Sequence, residues 1–169
     1  SRLGYRITVI DEREQYCNNT RFPSAHCVCA PFDQALEGEH GWIRPYFVIA
    51  TRGHGYDQLC LQKILGLNHR YIGMIGSKTK VAATFENLRN LGFSQAQLES
   101  VHAPIGLEIN AVTAAEIALS ILAQIIQTAR KEKHVVQLDR NLLEHLARTR
   151  QKFCLVRVIE KQGSAPCDV

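Results

Sequence analysis

An open, doubly wound α/β sheet of mainly parallel strands is the fold this sequence predicts, and three observations predict it. Short continuous apolar runs recur along the chain, as they do in strands covered on both faces. Helical patterns alternate with those runs in the rhythm of parallel α/β proteins. Glycines and capping residues fall where one element should stop and the next begin.

The elements follow in order. "YRITVI" (Tyr5 to Ile10) is β-branched and ends in "DER", and "HCVCA" (His26 to Ala30) is a second apolar run. "YFVIAT" (Tyr46 to Thr51) and "RYIGMI" (Arg70 to Ile75) are the third and fourth strands. Between them, Leu59, Cys60, Lys63, Ile64 and Leu67 recur at helical spacing. Another helix runs from the "GS" of Gly76 and Ser77 to Leu91, with Gly92 placed as its stop. "SQAQ" at Ser94 and "TAAE" at Thr113 both match the capping box, in which first and fourth side chains satisfy each other's orphan amides. The second box opens a helix from Ala114 to Arg130 with Ile117, Ile121, Ile125 and Ala129 on one stripe. "PIGLEI" (Pro104 to Ile109) reads as a last strand or a loop closing a cleft, with Glu108 a weak candidate carboxylate.

Composition narrows the function classes. The chain has 169 residues, 46% apolar and 21% charged, enough for one packed domain and part of another. No apolar run reaches the roughly 18–20 residues that cross a bilayer, and "AAEIALSILAQII" is interrupted by Glu116, Ser120 and Gln124. No membrane association is expected. The opening residues lack a signal-peptide layout, so the expected location is cytoplasmic. The net charge of +4 comes entirely from residues 130–152, where seven basic residues face three acids. Few aromatics interleave with them, so nucleic acid is not an expected partner. Six cysteines form no C-x-x-C pair. Cys27, Cys29, Cys60 and Cys154 read as buried thiols, and Cys17 and Cys167 as the two in reactive, loop-like settings.

The expected domain plan is 1–134 for the α/β domain, 135–152 for a helical connection, and 153–169 for the start of a second, incomplete domain. In the last stretch Leu155, Arg157 and Ile159 alternate against Cys154, Val156 and Val158.

Right-handed crossovers gather the turns after parallel strands at one sheet edge, where such folds bind ligands. Three polar turns meet there. The first strand ends in Asp11, the position from which a dinucleotide-binding sheet holds a ribose. The G-x-G-x-x-G turn belongs about 20 residues earlier in such a sheet. The predicted sheet therefore lacks its first glycine-loop unit. Asp11 is also an ordinary turn or cap residue by type, and Arg13 suits either a phosphorylated ribose or solvent. The third strand ends in "TRGHGYD": Gly53 and Gly55 admit close backbone approach, Thr51 and Arg52 stand beside them, and His54 titrates near neutrality. A glycine turn whose histidine bonds a carbonyl is the plainer alternative. The fourth strand ends in "GMIGSK", where Gly73, Gly76, Ser77 and Lys78 are not spaced as a Walker A loop. What they offer is a helix N-terminus with free amides, a hydroxyl and a lysine, an anion site by type; Ser77 serves equally as a plain N-cap.

These stretches resemble the XdhC/CoxI family, the accessory factors of xanthine dehydrogenase and related molybdenum hydroxylases. The resemblance rests on "VIDER" with "RFPSA" (Arg21 to Ala25), "TRGHGYD", "YIGMIGSK" and "APIGLEINAVTAAEIALSILAQII", covering most of Tyr5 to Arg130. "GSAP" (Gly163 to Pro166) is similar to the signature of the family's other domain. Its position after the α/β part resembles the branch tied to selenium-dependent molybdenum hydroxylases. Departures are Asn110 in place of a usual Gly, Ala115 in place of Pro, and Cys167 in place of Arg.

The resemblance implies a Rossmann-like domain that binds molybdenum cofactor (molybdopterin), protects it, assists its sulfuration and delivers it. The partners it implies are a xanthine dehydrogenase-like hydroxylase and a sulfur donor protein. Capture would fall to Gly76, Ser77 and Lys78 with Arg52 and His54. A different class of function is an NAD(P)-dependent oxidoreductase or dinucleotide-binding regulatory domain, with Asp11 on the ribose and His54 as proton donor. A third is a scaffold that homodimerises through its helices. A cofactor-binding maturation factor is favoured over a catalyst, and no metal ligands or catalytic residues are assigned.

Overall fold

The computed structural model describes residues 3–38 and 40–131. The expected helical connection and second domain lie outside the described residues. Ser1–Ile126 form the first of two compact units.

In chain order the elements are β1 (Thr8–Ile10), β2 (His26–Val28), α1 (Phe32–Ala35), β3 (Tyr46–Ile49) and α2 (His54–Leu65). They continue with β4 (Tyr71–Met74), α3 (Lys78–Asn90), α4 (Gln95–Glu99), β5 (Val101–His102) and α5 (Ala114–Lys131). All strand pairing is parallel, in two sheets ordered β1-β2 and β3-β4-β5. Registers such as Tyr46 opposite Tyr71 and Ile72 opposite Val101 align the second sheet. The α/β class expected from the sequence is present, with its sheet divided between β1 and β3.

Each face of the second sheet has its own helices, which is what doubly wound means physically. On one face, Ile49, Ile72 and Met74 pack with Cys60, Leu61, Ile64 and Leu65 of α2 and with Val81 and Leu88 of α3. Leu98 of α4 and Phe32 of α1 join the same cluster. On the other face, Tyr71 packs with Ile121 and Ile125 of α5, joined by Tyr5, Tyr46, Ile105 and Ile117. All four residues of β4 are buried, so its apolar run lacks alternation. Burying each such aliphatic side chain contributes about 1.5–3 kcal/mol.

Local signals set the boundaries. Ser77 caps α3 by accepting from the Lys80 amide, and Gly92, just past its end, takes φ 93, a left-handed conformation free of strain only in glycine. Ser94 and Gln97 complete the expected capping box of α4. Glu116 Oε2 accepts from the Val112 and Thr113 amides at 2.8 Å each, and Thr113 Oγ1 accepts from the Glu116 amide at 3.3 Å. Asn110, where the resemblance expects glycine, takes φ 56. Asparagine is the side chain that best tolerates that region, so the departure keeps the backbone.

"PIGLEI" is a loop, and β5 lies just ahead of it. Its shape is held by Gln124, whose Oε1 accepts from the Gly106 amide at 2.9 Å while its Nε2 donates to the Gly106 carbonyl at 3.1 Å. One side-chain amide thus imitates a strand neighbour. The Tyr71 hydroxyl donates to the same Oε1 at 2.6 Å, tying β4, the loop and α5 together.

Two cysteine expectations are corrected. Cys17 is buried and its thiol donates to the Val9 carbonyl at 3.4 Å, because the loop after β1 folds back over the strand. Cys29 lies beyond the end of β2 and is exposed. Cys60 is buried as expected, and burial pushes its thiol up to about 12.

Candidate functional site

Parallel pairing of β3 with β4 brings the turns after them to one edge of the sheet, and the Ile75 amide extends the pairing by donating to the Ile49 carbonyl at 2.9 Å. The end of β1 joins this edge through α2: the Tyr56 hydroxyl donates to Glu12 Oε1 at 3.1 Å. The Arg52 charge lies close enough to help stabilise the Asp11 carboxylate. Asp11, Arg52 and the Gly76–Lys78 turn thus share an edge, as the crossover argument expects.

The residues on that edge differ in what they have left to offer. Asp11 and Arg13 are engaged with each other. Asp11 Oδ1 accepts from the Arg13 amide at 3.0 Å and Nε at 2.8 Å, and Oδ2 accepts from Nη2 at 2.7 Å. Hydrogen bonding from the Arg13 side chain is the main reason the Asp11 carboxyl titrates below its usual range. Arg13 also lies 4.1 Å over the Tyr16 ring, so it is committed twice before any ribose phosphate arrives.

Thr51 is likewise committed. Its hydroxyl lies 2.6 Å from Asp57 Oδ1, a carboxylate in the first turn of α2. Gly53 is the N-cap of α2 and His54 its first residue, so the "RGHG" segment is a helix start and not a free glycine turn. With Asp57 in its first turn, α2 already has a negative charge at its positive end. Sequence reasoning missed Asp57 and Tyr56; an acid six residues after a strand-end threonine, inside a helical run, was the available signal.

The start of α3 is the reverse case. Its first turn holds Lys78, Thr79 and Lys80 and no acidic residue. Two cations at a helix N-terminus oppose the macrodipole, so the turn gains by holding an anion. Lys78 and Arg52 are exposed and form no ion pair among the described residues. Gly76 precedes the Ser77 cap at this turn.

Gly73 sits apart from these residues, inside β4 and buried. A Cβ there would collide with the Ile105 side chain and stand 2.6 Å from the Tyr71 hydroxyl. Its lack of a side chain is explained by the close approach of Ile105, not by a ligand. Glu108 is exposed on the "PIGLEI" loop. No group of three or more His, Cys, Asp or Glu suited to a metal occurs among the described residues.

A doubly wound α/β domain with a polar, partly cationic ligand edge is the class that this arrangement defines. The XdhC Rossmann domain family matches residues 1–125, and the chain belongs to that family. It is 29% identical over 129 residues to a probable xanthine dehydrogenase subunit of Bacillus subtilis, covering 76% of this chain and 37% of that protein. It is 31% identical over 127 residues to the "Uncharacterized protein YqeB" of Escherichia coli, covering 74% of this chain and 23% of that protein. A crystal structure described as a xanthine dehydrogenase from Bacillus halodurans matches with a TM-score of 0.65 and 31% identity, over 80% of this chain and 39% of that one. The chain spans less than two fifths of the length of each of these proteins. Among the described residues, no helix is long and apolar enough to cross a membrane.

Proposed function

We propose that this domain takes part in the maturation of a molybdenum hydroxylase of the xanthine dehydrogenase type. It holds the phosphate of molybdenum cofactor at the α3 N-terminal turn, and the longer polypeptide hands the cofactor to the hydroxylase. The observation that carries the reading is the uncompensated positive end of α3, with Ser77 as cap, Lys78 and Lys80 in the first turn and no acid among them. The names of the relatives support the link to xanthine dehydrogenase.

The residues fit the phosphate of such a group and not its metal: the edge supplies N–H donors and cations. Bound cofactor would supply the molybdenum centre that the hydroxylase uses. The chain's own part is to orient: the Gly76–Lys78 backbone and Lys78 anchor the phosphate, and Arg52 screens its remaining charge. Sulfuration in the longer protein would draw on a separate sulfur donor.

A second reading has one specific observation behind it. Asp11, kept ionised at the end of β1, stands where a dinucleotide-binding sheet receives a ribose. Its acceptor oxygens keep further lone pairs for ribose hydroxyls. The pairing of Arg13 with Asp11 favours NADH over NADPH in this reading, since a ribose phosphate would have to displace that contact.

Titrating the protein with molybdenum cofactor, NADH and NADPH separates the two. Cofactor binding that weakens about 10- to 150-fold in Lys78→Ala and in Arg52→Ala supports delivery, as expected for loss of one charge-assisted contact worth about 1.5–3 kcal/mol. NADH binding lost in Asp11→Ala, without cofactor binding, supports the dinucleotide reading. Unchanged cofactor affinity in both lysine and arginine variants rules out the anion edge.

A further inference from the structure

Three free thiols, Cys17, Cys27 and Cys29, gather around the end of β1. The loop that leaves this strand turns back at once: the Tyr16 and Cys17 amides donate to the Arg13 carbonyl at 2.9 and 3.0 Å. That turn lays Cys17 over the sheet, where its thiol donates to the Val9 carbonyl at 3.4 Å. Val9 stands opposite Cys27 in the parallel register of β1 and β2. Neighbouring strands lie about 4.8 Å apart, so the Cys17 sulfur sits over the same gap that the Cys27 side chain flanks. The Cys27 thiol is also hydrogen-bonded to that of Cys17. Cys29, two residues on and so on the same side of the strand, donates its thiol to the Glu12 carbonyl at 3.6 Å.

Exposure grades the three. Cys17 is 3% exposed, Cys27 is half-buried and Cys29 is exposed. Burial, then the neighbouring Cys17, raises the Cys27 thiol. Burial, then Cys17, Glu14 and Asp11, raises that of Cys29. Thiolates are therefore disfavoured here, whereas a disulfide brings no charge to this acidic surrounding. A dithiol form without stabilised thiolates leaves the disulfide hard to reduce once it has formed.

We propose that Cys17 and Cys27 are a dithiol that a low-molecular-weight disulfide oxidises, with Cys29 as the point of entry. The Cys29 thiolate attacks one sulfur of the small disulfide, whose S–S bond breaks and releases one thiolate. Cys17 attacks the Cys29 sulfur and the second small thiolate leaves. Cys27 then attacks the Cys17 sulfur and frees Cys29. In balance, Cys17 and Cys27 give up two protons and two electrons, and the small disulfide takes them up as two thiols. The new bond ties the Arg13–Cys17 turn to β2 and holds Arg13 on Asp11 at the ligand edge, whatever ligand that edge receives.

Peptide mapping by mass spectrometry without reduction, on protein exposed to glutathione disulfide, tests it. The expected product is a Cys17–Cys27 link within one chain, reversed by dithiothreitol. Closing so short a loop should raise the melting temperature by about 5–10 °C. Cys27→Ser should abolish that rise. Cys29→Ser, an exposed change, should slow oxidation about tenfold or more and still reach the same link. Three results overturn the proposal: glutathione left on Cys29 with no link within the chain, links only between chains, or the same rise in Cys27→Ser. An unchanged rate in Cys29→Ser removes the entry role. The mapping itself needs no variant, so a Cys27→Ser protein that fails to fold does not shield the proposal.

Discussion

Replacing Gln124 with alanine should unfasten the "PIGLEI" loop, because one side chain holds three polar groups there. It accepts from the Gly106 amide at 2.9 Å and the Tyr71 hydroxyl at 2.6 Å, and it donates to the Gly106 carbonyl at 3.1 Å. Each is part-buried, and Tyr71 is 2% exposed, so water cannot take over all three roles. A net loss of about 1 kcal/mol per bond, offset by a few tenths for the better helix propensity of alanine, gives about 2–4 kcal/mol. For a unit of this size, at about 3–4 °C per kcal/mol, that is about 6–16 °C in melting temperature. Circular dichroism during thermal and urea unfolding measures it. Gln124→Glu supplies the internal check: it can still accept from Gly106 and Tyr71 but sets a carboxylate against the Gly106 carbonyl. Its deficit should shrink in acid as the carboxyl protonates and regains a donor. A Gln124→Ala loss below about 0.5 kcal/mol, the size of an ordinary surface change, would refute the reasoning.

Other expectations follow from the same geometry. Gly73→Ala should cost about 1–3 kcal/mol by overpacking against Ile105. Combining it with Ile105→Ala should recover part of that loss in a double-mutant cycle, and strict additivity would show that the contact is not the cause. Thr113→Ala should destabilise by about 0.5–2 kcal/mol through loss of the α5 cap, read by denaturant midpoint. The backbone amide of Thr113, then that of Val112, holds the Glu116 carboxyl below its usual range. A depressed folded value means its contribution is present above the unfolded value and fades as pH falls through the folded one. Stability curves of wild type and Glu116→Gln should therefore converge in acid, and a gap that widens there would reverse the assignment. Alkylation followed by mass spectrometry should modify Cys29 before Cys17 and Cys60.

Much of this fold was legible because its signals are local. The capping boxes at Ser94 and Thr113 and the glycine stop at Gly92 specify their own backbone geometry. The run at Tyr71 is apolar without alternation because helices cover both faces of β4, all four of whose residues are buried. What was hidden depended on contacts distant in sequence. Gly73 resembles its neighbour Gly76 on paper, yet one admits Ile105 from 32 residues away and the other borders a helix cap. The loop around Cys17 gives no hint that it folds back onto Val9. At the ligand edge, residue types were readable but prior engagements were not: Asp57 occupies the start of α2 and Arg13 is taken by Asp11, which leaves α3 as the end with charge to spare.

That difference between two helix starts is best tested by titrating inorganic pyrophosphate into the isotope-labelled protein and following backbone amide resonances. The account predicts saturable shifts at Gly76, Ser77, Lys78 and Thr79, accompanied by Arg52 and weakened by Lys78→Ala. Shifts confined to the α2 start at Gly55 and Tyr56, or none at either helix, would contradict it.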